Sequence, residues 1–157
     1  MTTAVQALAI VAILANAVIY GTDVFSAVVQ RPALAHVDDR ALIAMMGNIH
    51  RYGDRRLPVP GTIGLLAALA GAITAAVAGL APAAVAGFVA CAALLAWLVF
   101  FNKVAAPVNR RLAKAAENGG ELPEARSLQD RSDGALGALV LFQSVALIAQ
   151  CVMVTAA

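Results

Sequence analysis

Charge is what this sequence has least of. Of its 157 residues, 13% are Asp, Glu, Lys or Arg, against about 25% in an ordinary soluble domain. A chain that is 62% hydrophobic has too little polar surface to cover itself in water. Disorder, a fibre and an ordinary soluble fold are thereby excluded, and lipid becomes the expected solvent. Aromatic residues are scarce too, at 5%, and few stand among the basic residues, which argues against a nucleic-acid partner. The two cysteines, Cys91 and Cys151, fall in different apolar runs and read as small apolar filler. There is no Gly-rich phosphate loop, nucleophile elbow, His-x-x-x-His or Cys-x-x-Cys spacing, so local motifs for phosphate, acyl-transfer or metal chemistry are missing.

What charge there is falls in two stretches. Arg31, Arg40, Arg51, Arg55 and Arg56 form one; Lys103, Arg110, Arg111, Lys114, Arg126 and Arg131 form the other. Eight of the nine acids share those stretches, and the ninth, Asp23, stands alone in an apolar run. Four apolar segments remain, at about 4–29, 57–80, 82–101 and 136–155. About 20 helical residues cross a hydrocarbon core of about 30 Å, and a helix satisfies its own backbone where lipid offers no partners. The expected fold is therefore all-α, a single membrane domain built as a bundle of four transmembrane helices. The charged segments 30–56 and 102–135 connect the spans. Gly79-Leu80-Ala81 followed by Pro82 marks a tight hairpin between spans two and three. An even number of spans separates the two basic stretches, so they share a side. The positive-inside rule makes that side cytoplasmic, with both termini outside, in an inner or plasma membrane. The first span is expected to be retained: Ala15-Asn16-Ala17 resembles a cleavage site, but no basic segment precedes it. Gly61, Gly64, Gly71, Gly79 and Gly87 lie among abundant Ala and give small-residue faces for close helix packing, faces that also suit a homo-oligomer.

The connecting segments are structured rather than loose. Pro32 is expected to end or kink the first helix. Asp38-Asp39 can cap a new one, and Leu42, Met45, Met46 and Ile49 recur at helical spacing to make an amphipathic helix, with Arg40, Gly47, Arg51 and Asp54 on other faces. Such a helix serves either as a headgroup-level element or as a lid over the bundle. In the second segment, residues 109–117 read as helix stopped by Gly119-Gly120. Pro123 suits a first helical position, a helix from Glu124 can run on into span four, and Arg126 can pair with Asp130 four residues on.

An ionisable residue inside a span is a functional candidate by default. Counted at about 1.5 Å per residue, Asp23 lies about 10 Å from the charged end, level with Gln143 and Ser144. Thr62 is slightly shallower, Asn102 marks the mouth, and Tyr20 is one turn from Asp23. Asn16 and Gln150 form a deeper polar level. Phe25, Trp97, Phe100, Phe101 and Phe142 fall in the same half. An apolar aromatic cavity with a few converging polar groups suits a hydrophobic small molecule; an interfacial aromatic belt with interhelical hydrogen bonds accounts for the same residues without one. His36 and His50, about 20 Å apart if their helix is continuous, cannot share a metal within one chain. His50 could instead meet Asp23, Asn102 or Asn109, an arrangement suited to proton transfer. A metal, if one is bound, would engage His50 and Asp23.

The order of these pieces resembles the anthrone oxygenase-like family of small four-helix integral membrane proteins. The likeness runs through Gly21-Thr22-Asp23-Val24-Phe25-Ser26 and Arg31-Pro32-Ala33-Leu34, then Asn48-Ile49-His50, and closes span three at Asn102-Lys103-Val104-Ala105-Ala106-Pro107-Val108-Asn109. Many members of that family carry a Trp, then a His or Asn, then an Arg before span four; here, over Arg126–Gly134, the Trp is absent and Gly134 stands at the Arg position. The resemblance implies oxidation of an anthrone to an anthraquinone by O₂. On chemical grounds Asp23 or His50 would be the base, and Asn102, Asn109 or an Arg would hold the enolate oxygen. Tyr20, Phe25, Thr62, Trp97, Phe101, Phe142 and Gln143 would bind the substrate. Base-assisted oxygenation needs no cofactor; otherwise a transition metal or haem is expected. A small proton-coupled transporter, with Asp23 as the carrier, and a non-catalytic membrane scaffold are the competing readings.

Overall fold

The computed structural model describes residues 1–119 and 121–157. The described residues form helices and turns with no strand. Helix α1 covers Thr2–Phe25, and a π-helical turn, Ser26–Gln30, joins it to the short α2, Arg31–Leu34. Then come α3, Asp39–Arg56, α4, Pro58–Val77, α5, Ala81–Glu117, and α6, Ala125–Thr155. Four helical stretches are long and apolar enough to cross a membrane. They form a ring in which α1 and α5 each pack between α4 and α6. The chain is an all-α four-helix bundle and an integral membrane protein. Its outer face carries Ile10, Leu14, Ile63, Leu66, Ile73, Val85, Leu95, Leu141 and Ile148, all exposed, a belt that only lipid would cover without cost.

The helices run well past the apolar segments. Helix α5 has 37 residues, or about 55 Å at 1.5 Å per residue, nearly twice a hydrocarbon core. It passes through Pro107 without ending, because the ring lies on the exposed side of the helix. The separate helix expected over 109–117 is thus the last quarter of α5, continuous with span three. Likewise the first helical stretch, Thr2–Leu34, does not end at Pro32. The π turn just ahead, closed by the Arg31 N–H on the Ser26 carbonyl, carries the chain into Pro32, which has no N–H to give. Span two begins directly at the end of α3. Leu57 alone separates α3 from α4, and helical hydrogen bonds flank it on both sides. Span four begins at Ala125, two residues after Pro123. The α4–α5 hairpin follows expectation: Gly79 adopts φ 73°, and the Leu80 N–H closes back on the Ala75 carbonyl, a helix stop that favours glycine. Gly119 does the same after α5, with φ 106°; Gly120 lies outside the described residues.

At the charged end, Asp38 caps α3 as expected, accepting the Ala41 N–H at 2.7 Å. The buried face of α3 is rotated from the one expected. Leu42, Ile43, Met46 and Gly47 are buried, while Met45 and Ile49 are exposed. The reason is Gly47. It lies directly against Leu112 and Ala116 of α5, with no room for a side chain, so the closest approach of the two helices sets the rotation. Arg126 does not pair with Asp130. It gives hydrogen bonds to the Leu34 carbonyl at 2.8 Å, to the Val37 carbonyl at 2.7 Å and to Asp39 at 2.8 and 3.1 Å. The open carbonyls at the end of α2 offer a guanidinium more than a neighbouring carboxylate in water does. The ion pairs Arg51–Glu117 and Arg111–Glu124 are exposed and add little.

Two kinds of core result. The charged end is filled by Leu34, Leu42, Ile43, Met46, Val108 and Leu112. The lipid end is filled almost entirely by alanine, among them Ala9, Ala12, Ala68, Ala75, Ala83 and Ala146, with Val5, Leu94 and Met153.

Candidate functional site

A cavity of about 480 Å³ opens where the two cores meet. On α5 its wall runs from Leu94 to Arg110, 16 residues and so about 24 Å along the axis. Helix α1 contributes Asn16, Ile19, Thr22 and Asp23; α3 contributes Gly53 and Asp54; α4 contributes Gly61, Thr62 and Leu65; α6 contributes Gln143. The chamber exists because α4 opens with small or ring-constrained residues, Pro58, Pro60 and Gly61. A side chain built at Gly61 would meet nothing within 4 Å, so glycine there leaves the volume empty.

Its chemistry is arranged in levels. At the closed end sit Asn16 and Gln143, both buried, with the Asn16 amide nitrogen and oxygen and the Gln143 amide oxygen lacking any hydrogen-bond partner. One to two turns nearer the mouth, the Trp97 indole N–H donates to Asp23 Oδ2 at 2.9 Å. This bond joins α1 to α5 across the diagonal of the ring. Trp97 stacks on Phe101, with centroids 5.1 Å apart and planes 7° from parallel, giving the waist a flat aromatic wall. Asn102 lines the same wall and gives one N–H to the Leu98 carbonyl at 2.8 Å. Asp54 and Arg110 stand at the mouth. Partial burial pushes the Asp54 carboxyl up from its ordinary value, opposed by the Asn109 amide and the Arg110 charge.

Of the residues expected at a site, the structure brings Asp23, Thr62, Trp97, Phe101, Asn102 and Gln143 into one cavity. It places Tyr20, Phe25, His50, Asn109 and Phe142 outside its wall. Helix α1 turns Asn16, Ile19 and Asp23 inward at i, i+3 and i+7, which puts Phe25 on the opposite side, exposed. Phe142 packs edge-on against Phe100 at 6.2 Å. Asn109 is buried one layer behind Asp54. His50 lies three residues beyond Gly47 on the α5-facing side of α3, its Nε2 buried and without a partner. Burial lowers its pKa from the ordinary 6.5 to about 4, so it is neutral at pH 7. Asp23 and His50 therefore do not share the cavity wall, and among the described residues no three His, Cys, Asp or Glu side chains converge as a metal site. His36 is exposed in the turn before α3.

Sequence reasoning placed Asn16 on a deeper polar level but did not count it as a site residue, and it passed over Asp54, Arg110 and the emptiness at Gly61. The signal for Asn16 was present: it precedes Asp23 by seven residues, two turns on one face. No family model, curated protein or solved structure matches the chain.

Proposed function

We propose that the protein is a membrane oxygenase that binds a flat hydrophobic aromatic of the anthrone class in this cavity and oxidises it with O₂, with Asp23 as the base. The observation that carries the reading is the Asp23–Trp97 pair at the waist of a mostly apolar chamber. A carboxylate held by one indole N–H keeps its second oxygen for the substrate, beside an aromatic wall against which a fused ring can lie. The likeness to the anthrone oxygenase-like family supports the same reaction.

The chemistry balances without a further reactant. Asp23 takes one proton from the methylene carbon opposite the ketone, leaving an enolate spread over the rings. Thr62 and Asn102 stand to hold the enolate oxygen. The carbanion reduces O₂ and forms a C–O bond, giving a hydroperoxide once the proton is returned. Loss of the second C–H proton with cleavage of O–O releases water and leaves the quinone. One anthrone and one O₂ thus give one anthraquinone and one water. With the basic ends cytoplasmic and both termini outside, the mouth between Asp54 and Arg110 faces the cytoplasmic leaflet, where such a substrate partitions. His50, buried and neutral, is assigned a structural role instead of the base.

The test is anthrone-dependent oxygen uptake by purified protein, with metal content measured on the same sample. Asp23→Asn keeps the shape and the Trp97 contact but removes the base. It is expected to lower turnover at least about 100-fold, the usual scale of a general base, with melting unchanged. Turnover unaltered by Asp23→Asn would refute the assignment. A proton-coupled transporter is the second reading. The observation that favours it is Gln150, buried with both amide atoms unpartnered one α6 heptad below Gln143, as though a polar file continued past the cavity. Labelled-substrate uptake into vesicles, abolished by Asp23→Asn, would favour it.

A further inference from the structure

We infer that the pocket between α2 and the charged end of α6 is a specific seat for the headgroup of an aminophospholipid of the phosphatidylethanolamine class. The inference stands apart from the oxygenase reading, because it concerns a second pocket. That pocket has a volume of about 310 Å³. Helix α2 supplies Arg31, and α6 supplies Arg126, Gln129, Asp130 and Asp133, which recur at i, i+3, i+4 and i+7 along one face. Arg31 and Asp133 are the first charges beyond the apolar segments that end near residue 29 and begin near 136, so the pocket opens at headgroup level. A lipid chain also has a path to it. Asp130, Gly134, Gly137 and Leu141 form one exposed stripe of α6, and a side chain built at either glycine would meet nothing within 4 Å. The stripe makes a shallow furrow from the pocket down the lipid-facing surface.

The side chains of the pocket specify the group that fits it. Gln129 is 4% exposed and Asp133 8%. The Gln129 amide nitrogen donates to Asp133 Oδ1 at 2.8 Å, which holds the carboxylate in place, while Gln129 Oε1 is buried with no partner. A buried acceptor left open is costly, and it calls for a donor. Arg126 is turned instead to the Leu34 and Val37 carbonyls and Asp39. Arg31 stands near enough for its charge to act on Asp133, yet among the described residues neither Arg31, Asp130 nor Asp133 forms an ion pair. Two carboxylates and an open amide oxygen thus lie beyond ion-pair distance of the Arg31 guanidinium. A bare anion would meet the carboxylates. A bare metal ion would meet Arg31 and find fewer than three acidic or His ligands. A zwitterion satisfies both sides: its ammonium gives N–H bonds to Asp130, Asp133 and Gln129 Oε1, and its phosphate takes those of Arg31. A choline headgroup carries the same charges but has no N–H to give, so the open acceptor selects a primary amine.

The experiment is native mass spectrometry of the detergent-solubilised full chain, titrated with dioleoyl phosphatidylethanolamine and with dioleoyl phosphatidylcholine. The two lipids share chains and phosphate and differ in mass. Wild type is expected to hold phosphatidylethanolamine at least about tenfold more tightly, the scale of a hydrogen bond to a charged group. Asp133→Asn is expected to lose that preference. Arg31→Gln removes the partner of the phosphate that both lipids carry, so it is expected to weaken both and keep the preference. Arg31 is exposed, so this variant should melt as wild type does. Glu121→Gln, at an exposed acid outside the pocket, is expected to change nothing. Equal affinity of wild type for the two lipids would overturn the inference. So would a preference that survives Asp133→Asn, a preference that Glu121→Gln also removes, or unweakened binding of both lipids by Arg31→Gln. Displacement of the lipid by an equal concentration of O-phosphoethanolamine would make the ligand a free zwitterion and overturn the assignment to the membrane. Oxygen uptake plays no part in the readout, so failure of the oxygenase reading leaves the lipid site standing.

Discussion

The two ends of this bundle solve the same packing problem with opposite side chains. At the charged end, Leu34, Leu42, Ile43, Met46 and Leu112 fill the space between α2, α3, α5 and α6. At the lipid end α1, α4, α5 and α6 meet through alanine. The solvent explains the contrast. Beyond the membrane, removing large apolar side chains from water stabilises the assembly. Inside it, lipid tails are as apolar as leucine, and only close backbone approach through small residues is gained by association. The cavity lies at the change from one regime to the other, where neither large side chains nor close backbones fill the space.

The contrast is sharpened most by exchanging the two strategies. Leu112→Ala, at a fully buried position of the charged-end core, is expected to cost about 2–5 kcal/mol. The reverse change at the lipid end, Ala75→Leu, is expected to cost about 1–3 kcal/mol by overpacking. Reversible unfolding in mixed micelles checks both, and a stabilising Ala75→Leu would break the account of the lipid-end core. Next in size is the Arg126 clamp. Arg126→Met removes its bonds to Leu34, Val37 and Asp39 and leaves two carbonyls open, at about 1.5–3 kcal/mol. Asp39→Asn, which removes one exposed partner, should cost under about 1 kcal/mol.

A pH effect follows from His50. Its pKa is lowered in the folded protein, so the unfolded chain binds the extra proton between pH 6.5 and about 4. Its contribution to stability is present above pH 6.5 and is lost as pH falls through that window. Asp54 and Asp133, both pushed up by burial, act with the opposite sign, favouring the fold as the solution is acidified. The carboxyls are common to both proteins, so the expected result is that His50→Gln gains melting temperature relative to wild type as pH falls from 7 to 5. Identical slopes would show that His50 is solvated.

Much of this fold was legible because hydropathy and charge act over whole segments. The four spans, the Gly79 hairpin and the Asp38 cap each rest on a local rule. What escaped was set by contact between segments. The rotation of α3 follows from Gly47 meeting Ala116, and the passage of α5 through Pro107 depends on which side of the helix the ring occupies. Of the candidate site, the residues that line the cavity, Asp23, Thr62, Trp97, Phe101, Asn102 and Gln143, were found by depth alone. Phe25 and Phe142 share that depth but face elsewhere, and depth carries no information about rotation. Arg110 and Asp54 read as ordinary surface charges until α3 is laid beside α5.

A small stabilising effect is expected of the variant that most directly tests the central claim, that the chamber between the two cores is where the ligand sits. Gly61→Leu places a side chain in the cavity at a position where a Cβ meets nothing within 4 Å. The measurement is anthrone-dependent oxygen uptake by Gly61→Leu, with its melting temperature taken on the same preparation. The account predicts a protein that melts at or slightly above the wild-type temperature, since leucine favours helix over glycine by roughly 1 kcal/mol, and that has lost turnover. A well-folded Gly61→Leu with undiminished turnover would contradict it.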